Sequence, residues 1–325
     1  MKKLLLTVVL AMFVFVGCAP ASSDKHIVFT DAGWDSAKVN NNIAGFIAEN
    51  AFGMTWSELP GSTPITYEAI KNGEIDLHME MWTDNVPLYT DDVASGAVLE
   101  LGLNFDDNMQ GFYVPRYVIE GDAARGIDAV APNLKYVVDL LNYADVFVDD
   151  ENPSMGRVYG AIPGWTADDI LYKKYEYLKL DEKFVYFRPG SDAALSAAFT
   201  GAYERGEPIV GYYWEPTWLM GKYDFVLLED APFNKTDFLL GKTAFDSVRV
   251  TITARPGFDT DHPEYSEFLS KYRTSSALTS AALTYMQDTG ADYKTTALWF
   301  LKTHDYLLDE WLNADQAAAV REALK

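Results

Sequence analysis

From His26 onward, short apolar runs alternate with helix-length amphipathic segments, and this alternation restricts the chain to α/β layers with mainly parallel sheets. The pattern predicts strands over residues 26–30, 54–59, 75–82, 111–119, 157–162, 184–187, 209–214, 225–228 and 248–252. Helices are expected over residues 36–52, 64–71, 134–142, 167–178 and 192–203, and from residue 263 almost to the end. Open α/β sheets bind ligands at the carboxyl ends of their strands. Four tryptophans fall at such positions: Trp34, Trp82 and Trp214 at strand ends, and Trp165 in a Pro-Gly turn between a strand and a helix.

Singly, each of these tryptophans reads as ordinary core or edge packing. As a group they favour an aromatic box suited to a quaternary ammonium, which has no hydrogen-bond donor and must be recognised by ring faces. Three or four rings at ~0.5–2 kcal/mol each supply roughly 2–8 kcal/mol before entropic costs. A micromolar complex needs about 8 kcal/mol, so the rings need help. Thr166 and Ala167 open the helix after Trp165, and their amides could hold a carboxylate. Thr166 with Asp169 three residues on resembles a capping box and is expected to cap that helix.

Competing chemistries are weakly supported. The four histidines, His26, His78, His262 and His304, are too scattered for a metal site; His78 and Glu80 share a strand face, but zinc is not expected there. Nucleophile-elbow and phosphate-loop patterns are absent, acidic pairs are too abundant to single out a catalytic dyad, and no cofactor is called for. With 26 basic and 48 acidic residues the net charge is −22, which argues against nucleic acid and anionic membranes as partners.

The N-terminus is read separately. Lys2 and Lys3 precede an apolar run over residues 4–16 that is short for a bilayer span and suits a secretory signal over residues 1–17. Phe15-Val16-Gly17-Cys18 resembles a bacterial lipobox, making Cys18 a lipidation site and residues 18–25 a tether; the alternative is an unmodified cysteine in a discarded signal. Cys18 is the only cysteine, so the mature domain has no internal disulfide and relies on its core.

Several motifs occur in a specific order: Asn72-Gly73-Glu74-Ile75-Asp76 leading to Glu80-Met81-Trp82, Gly160-Ala161-Ile162-Pro163-Gly164-Trp165, Tyr186-Phe187-Arg188-Pro189-Gly190-Ser191, and Tyr212-Tyr213-Trp214-Glu215-Pro216-Thr217-Trp218. Through them nearly the whole mature chain resembles the substrate-binding proteins of glycine betaine/proline betaine/choline ABC importers, the OpuAC and ProX type. The resemblance implies a two-lobed periplasmic-binding-protein fold of type II, with mixed sheets, flanking helices and a two-strand hinge. Residues 26–114 and 229–325 would form lobe I and residues 115–228 lobe II. It implies a cage of Trp82, Trp165 and Trp214 with the carboxylate near Thr166 and Ala167, although relatives often have Gly-Cys or Gly-Ala where this chain has Thr-Ala. In a choline-binding branch a Gly-Trp after the first strand adds a ring, matching Trp34, with an acid that here would be Asp35. The implied protein is an exported receptor, membrane-bound by its lipid anchor alone, that hands a betaine to an ABC permease. Choline or carnitine binding, or an extracellular enzyme using the tryptophans as a platform, are the alternatives.

Overall fold

The computed structural model describes residues 25–325; the signal segment, Cys18 and all of the tether except Lys25 lie outside the described residues. The chain runs β1 (His26–Asp31), α1 (Asp35–Phe52), β2 (Thr55–Pro60), α2 (Thr63–Lys71), β3 (Leu77–Trp82), α3 (Tyr89–Ser95), β4 (Leu99–Phe105) and β5 (Gln110–Pro115). It continues α4 (Arg116–Glu120), β6 (Gly156–Tyr159), α5 (Thr166–Tyr177), β7 (Phe184–Phe187), α6 (Asp192–Arg205), β8 (Gly211–Trp214), β9 (Phe225–Leu227) and β10 (Val250–Ala254). Further helices fill most of residues 258–323.

The strands form two five-stranded sheets, ordered β2-β1-β3-β10-β4 and β7-β6-β8-β5-β9. In each, a parallel set built by βαβ crossovers meets antiparallel strands: β10 against β3 and β4, and β5 against β8 and β9. Every residue of β3, β5, β8 and β10 is buried, as expected of inner strands covered on both faces. One core cluster lies around the second sheet; another joins β1, β3 and β10 to α1 and the C-terminal helices.

Three expectations need correction. The strand expected to run to residue 119 stops at Pro115, and α4 follows: proline cannot donate to a sheet ladder, while Arg116 pairs with Glu120 one turn on and with Asp224. The segment 134–142 holds only a 3-10 helix, Val137–Asn142. Finally β5 belongs to the second sheet, so the chain leaves the first sheet after Phe105, earlier than the expected boundary at residue 114. Two connections, residues 106–109 and 228–249, link the sheets.

Gly45 lets α1 lie close on β2. A Cβ there would fall 2.3 Å from the Trp56 indole, itself edge-on to Phe29 at 5.7 Å between centroids. Gly45→Ala gains about 1 kcal/mol of helix propensity but overpacks a rigid ring at a cost of roughly 1–3 kcal/mol. The expected outcome is a net loss of stability in urea unfolding; a gain would show that Trp56 moves freely.

Candidate ligand-binding site

The four tryptophans singled out from the sequence line one cavity between the carboxyl ends of the two sheets. Trp34 precedes the first turn of α1, Trp82 ends β3, Trp165 precedes α5 and Trp214 ends β8. The Trp165 ring stands edge-on to Trp34 (centroids 5.2 Å, 79°) and to Trp214 (5.1 Å, 82°), so rings of both sheets meet at it. Tyr212, absent from the sequence-level site, stacks on Trp214 at 5.7 Å and also lines the cavity. Alternation along β8 puts residues 212 and 214 on one face, which was the available signal.

Thr166 and Ala167 are both at the cavity. As the first two residues of α5 their N–H groups have no carbonyl one turn back to bond, so they are available donors. The expected capping by Thr166 does not occur: α5 begins at Thr166 itself, after Trp165, and no side chain caps it. Asp168 instead fixes this turn, its carboxylate accepting from Tyr186 Oη (2.8 Å) and Arg188 Nε (2.7 Å). Arg188 lies over the rings of Tyr172 and Tyr186, which gives the Tyr186-Phe187-Arg188 motif its structural role.

Asp35 is not part of this cavity. Its carboxylate accepts from Tyr293 Oη at 2.8 Å, and it lines an adjacent cleft with Asp192 and Trp218. A side chain one residue past Trp34 leaves the turn in a different direction, and Ser36, two residues on, faces inward instead. Burial, and then the like charge of Asp35, pushes the Asp192 carboxyl up to about 7.

The cavity face of β3 carries more than the tryptophan that ends it. His78, Glu80 and Trp82 project to one side, as alternate strand residues must. Glu80 is 0 % exposed, yet among the described residues no lysine or arginine lines the cavity. Its Oε2 accepts from Trp34 Nε1 (2.7 Å) and Ser36 Oγ (2.9 Å), and its Oε1 from Asn40 Nδ2 (2.7 Å). Burial pushes its carboxyl up to about 7, although these hydrogen bonds favour the ionised form. His78 Nδ1 accepts from the Glu80 backbone N–H at 3.1 Å. Burial holds the ring neutral, with its pKa down to about 3, so its one proton sits on Nε2. That buried N–H meets no acceptor among the described residues. No group of three or more potential metal ligands exists among the described residues.

The substrate-binding domain of the ABC-type glycine betaine transport system matches residues 25–303. The chain belongs to this family. Its members are extracytoplasmic solute-binding proteins of ABC transporters, not enzymes. The fold is that of the Borrelia burgdorferi glycine betaine/L-proline-binding protein ProX, with a TM-score of 0.72 at 18% identity over 91% of this chain and 99% of that one. An ABC-transporter choline-binding protein solved with choline gives 0.70 at 22% identity, over 93% and 99%. Lactococcal OpuAC, closed on glycine betaine, gives 0.67 at 20% identity, over 89% and 100%. At these identities the likeness establishes the fold, a periplasmic-binding-protein architecture of two mixed sheets with flanking helices. No curated protein sequence matches the chain. Among the described residues no helix is long and apolar enough to cross a membrane.

The folded protein holds the Glu80 proton more tightly than the unfolded chain, whose carboxyl titrates near 4.5. This group's stabilisation is therefore present below about pH 4.5 and is lost as pH rises through 7. In thermal unfolding without ligand, Glu80→Gln should gain on the wild type as pH rises across that window. A pH-independent difference would show that Glu80 is ionised throughout.

Proposed function

We propose that the protein captures a betaine-like quaternary ammonium solute and delivers it to the permease of an ABC importer. The observation that carries this reading is the convergence of Trp34, Trp82, Trp165 and Trp214 beside the free amides of Thr166 and Ala167. The rings suit the ammonium and the amides suit a carboxylate, so a zwitterion such as glycine betaine or proline betaine uses both. Each lobe corresponds to one sheet, and closure about the two connections brings the rings together and removes water from around the charges. The basic start, the apolar run and the lipobox-like residues support export and anchoring through Cys18. With Cys18→Ala the protein should move from the membrane to the soluble fraction; unchanged fractionation would rule out the anchor.

A second reading, a cation such as choline, draws on one observation. Glu80 faces the cavity with no basic residue among the lining groups, which favours a ligand of net positive charge.

Tryptophan fluorescence with glycine betaine, proline betaine, carnitine and choline, followed by mass analysis of the recovered ligand, distinguishes these readings. Trp165→Ala and Trp214→Ala should each weaken binding by about 3- to 30-fold or more, one ring's contribution; unchanged binding in both would remove the cage. Thr166→Pro deletes one amide donor at the first helical position, where proline is tolerated. It should weaken betaine binding by roughly tenfold and leave choline unaffected. Equal effects on both ligands would remove the carboxylate subsite.

A further inference from the structure

We propose that Glu80 is the counter-anion of the bound ammonium, so that capture of the ligand expels a proton from the cavity. The inference rests on the cage reading above. Geometry carries it: a fully buried carboxylate lies on the same strand face as the cage residue Trp82 and accepts three side-chain hydrogen bonds without any cationic partner. Isolated buried charge is costly, and such groups stay protonated until an opposite charge arrives.

The groups around it supply no such charge. From β3, His78 is neutral and shares its Nδ1 with the Glu80 amide. Behind Glu80, Tyr272 donates to Asn40 Oδ1, and its hydroxyl is held well above its ordinary pKa by burial and then by Glu80 itself. From α1, Asp35 is turned toward Tyr293. From the second sheet, Tyr212 donates to Gln110 Oε1, with Asp192 beyond it. The ligand's ammonium is therefore the one positive charge that would reach this site.

The exchange balances simply. Protonated Glu80 and a free cation become carboxylate and bound cation, and the proton passes to the buffer. The three donors already point at the carboxylate oxygens, so the ionised form needs no rearrangement. Trp34 gains a second role, since its indole N–H binds Glu80 while its ring lines the cage.

The test is calorimetric titration of the wild-type protein with choline, and separately with glycine betaine, in buffers of different ionisation enthalpy. About 0.7 proton should be released per ligand at pH 6.5, and affinity should fall by roughly ten- to a hundredfold between pH 8 and pH 5. Glu80→Gln should bind with no proton release and a flat pH profile. The neutral isostere 3,3-dimethylbutan-1-ol should bind the wild type, if at all, without releasing a proton. Binding of both ligands without proton release would overturn the proposal and leave the cage intact. Failure of the wild type to bind either at any pH would overturn the cage reading, and this one with it. The wild-type measurement decides even if the variant does not fold.

Discussion

The site is organised by the hydrogen bonds converging on one buried carboxylate. Glu80 leaves β3 and is met by Trp34, Ser36 and Asn40 from the turn after β1 and the first turns of α1. Asn40 passes the connection on to Tyr272, which lies deep in the core near Trp311. A parallel β-α-β unit leaves the carboxyl ends of its strands joined only through the sheet. Here an acidic side chain ties them a second time, at the level where the rings are displayed. The orientation of Trp34 follows from this tie, because an indole whose N–H is committed cannot turn freely.

The second sheet solves the same problem with different residues. Trp165 sits on a turn whose far side is held by Asp168, Tyr186 and Arg188. Gly160 permits this, since a Cβ there would fall 2.3 Å from the Tyr186 ring. Both halves therefore place a carboxylate behind a tryptophan. In one it stays inside the cavity, fully buried and without a cation; in the other it is paired with Arg188. The contrast explains why, of these two carboxylates, Glu80 is the one poised to respond to the charge of the proposed ligand.

Much of this was legible in the sequence. Strand-helix alternation located both sheets, and the tryptophans at strand ends marked the cavity, because those signals are local: residue type and period. The misreadings involve partners distant in sequence. Asp35 is taken by Tyr293, 258 residues on, which no local pattern reveals. In the sequence, Glu80 stands out as the strand-face neighbour of His78, a pair too small for a metal site. Its role depends on donors 40 to 46 residues earlier, which only the fold brings to it. The sheet that β5 joins is not legible either, because an aromatic-rich strand looks the same whichever sheet it joins. Thr166 fits a capping pattern, but the helix starts at that residue itself, so it contributes an unpaired first-turn amide rather than a cap.

Gly164 lies in the turn that carries Trp165, at φ +91°, and a Cβ on it would come within 2.8 Å of Ser62 Cβ, beside the start of α2. Loops belonging to the two sheets thus approach closely here, a bare glycine facing the small side chain of Ser62. For the proposed solute, held between the same two halves, this near contact is a stop: it bounds how far the halves can come together.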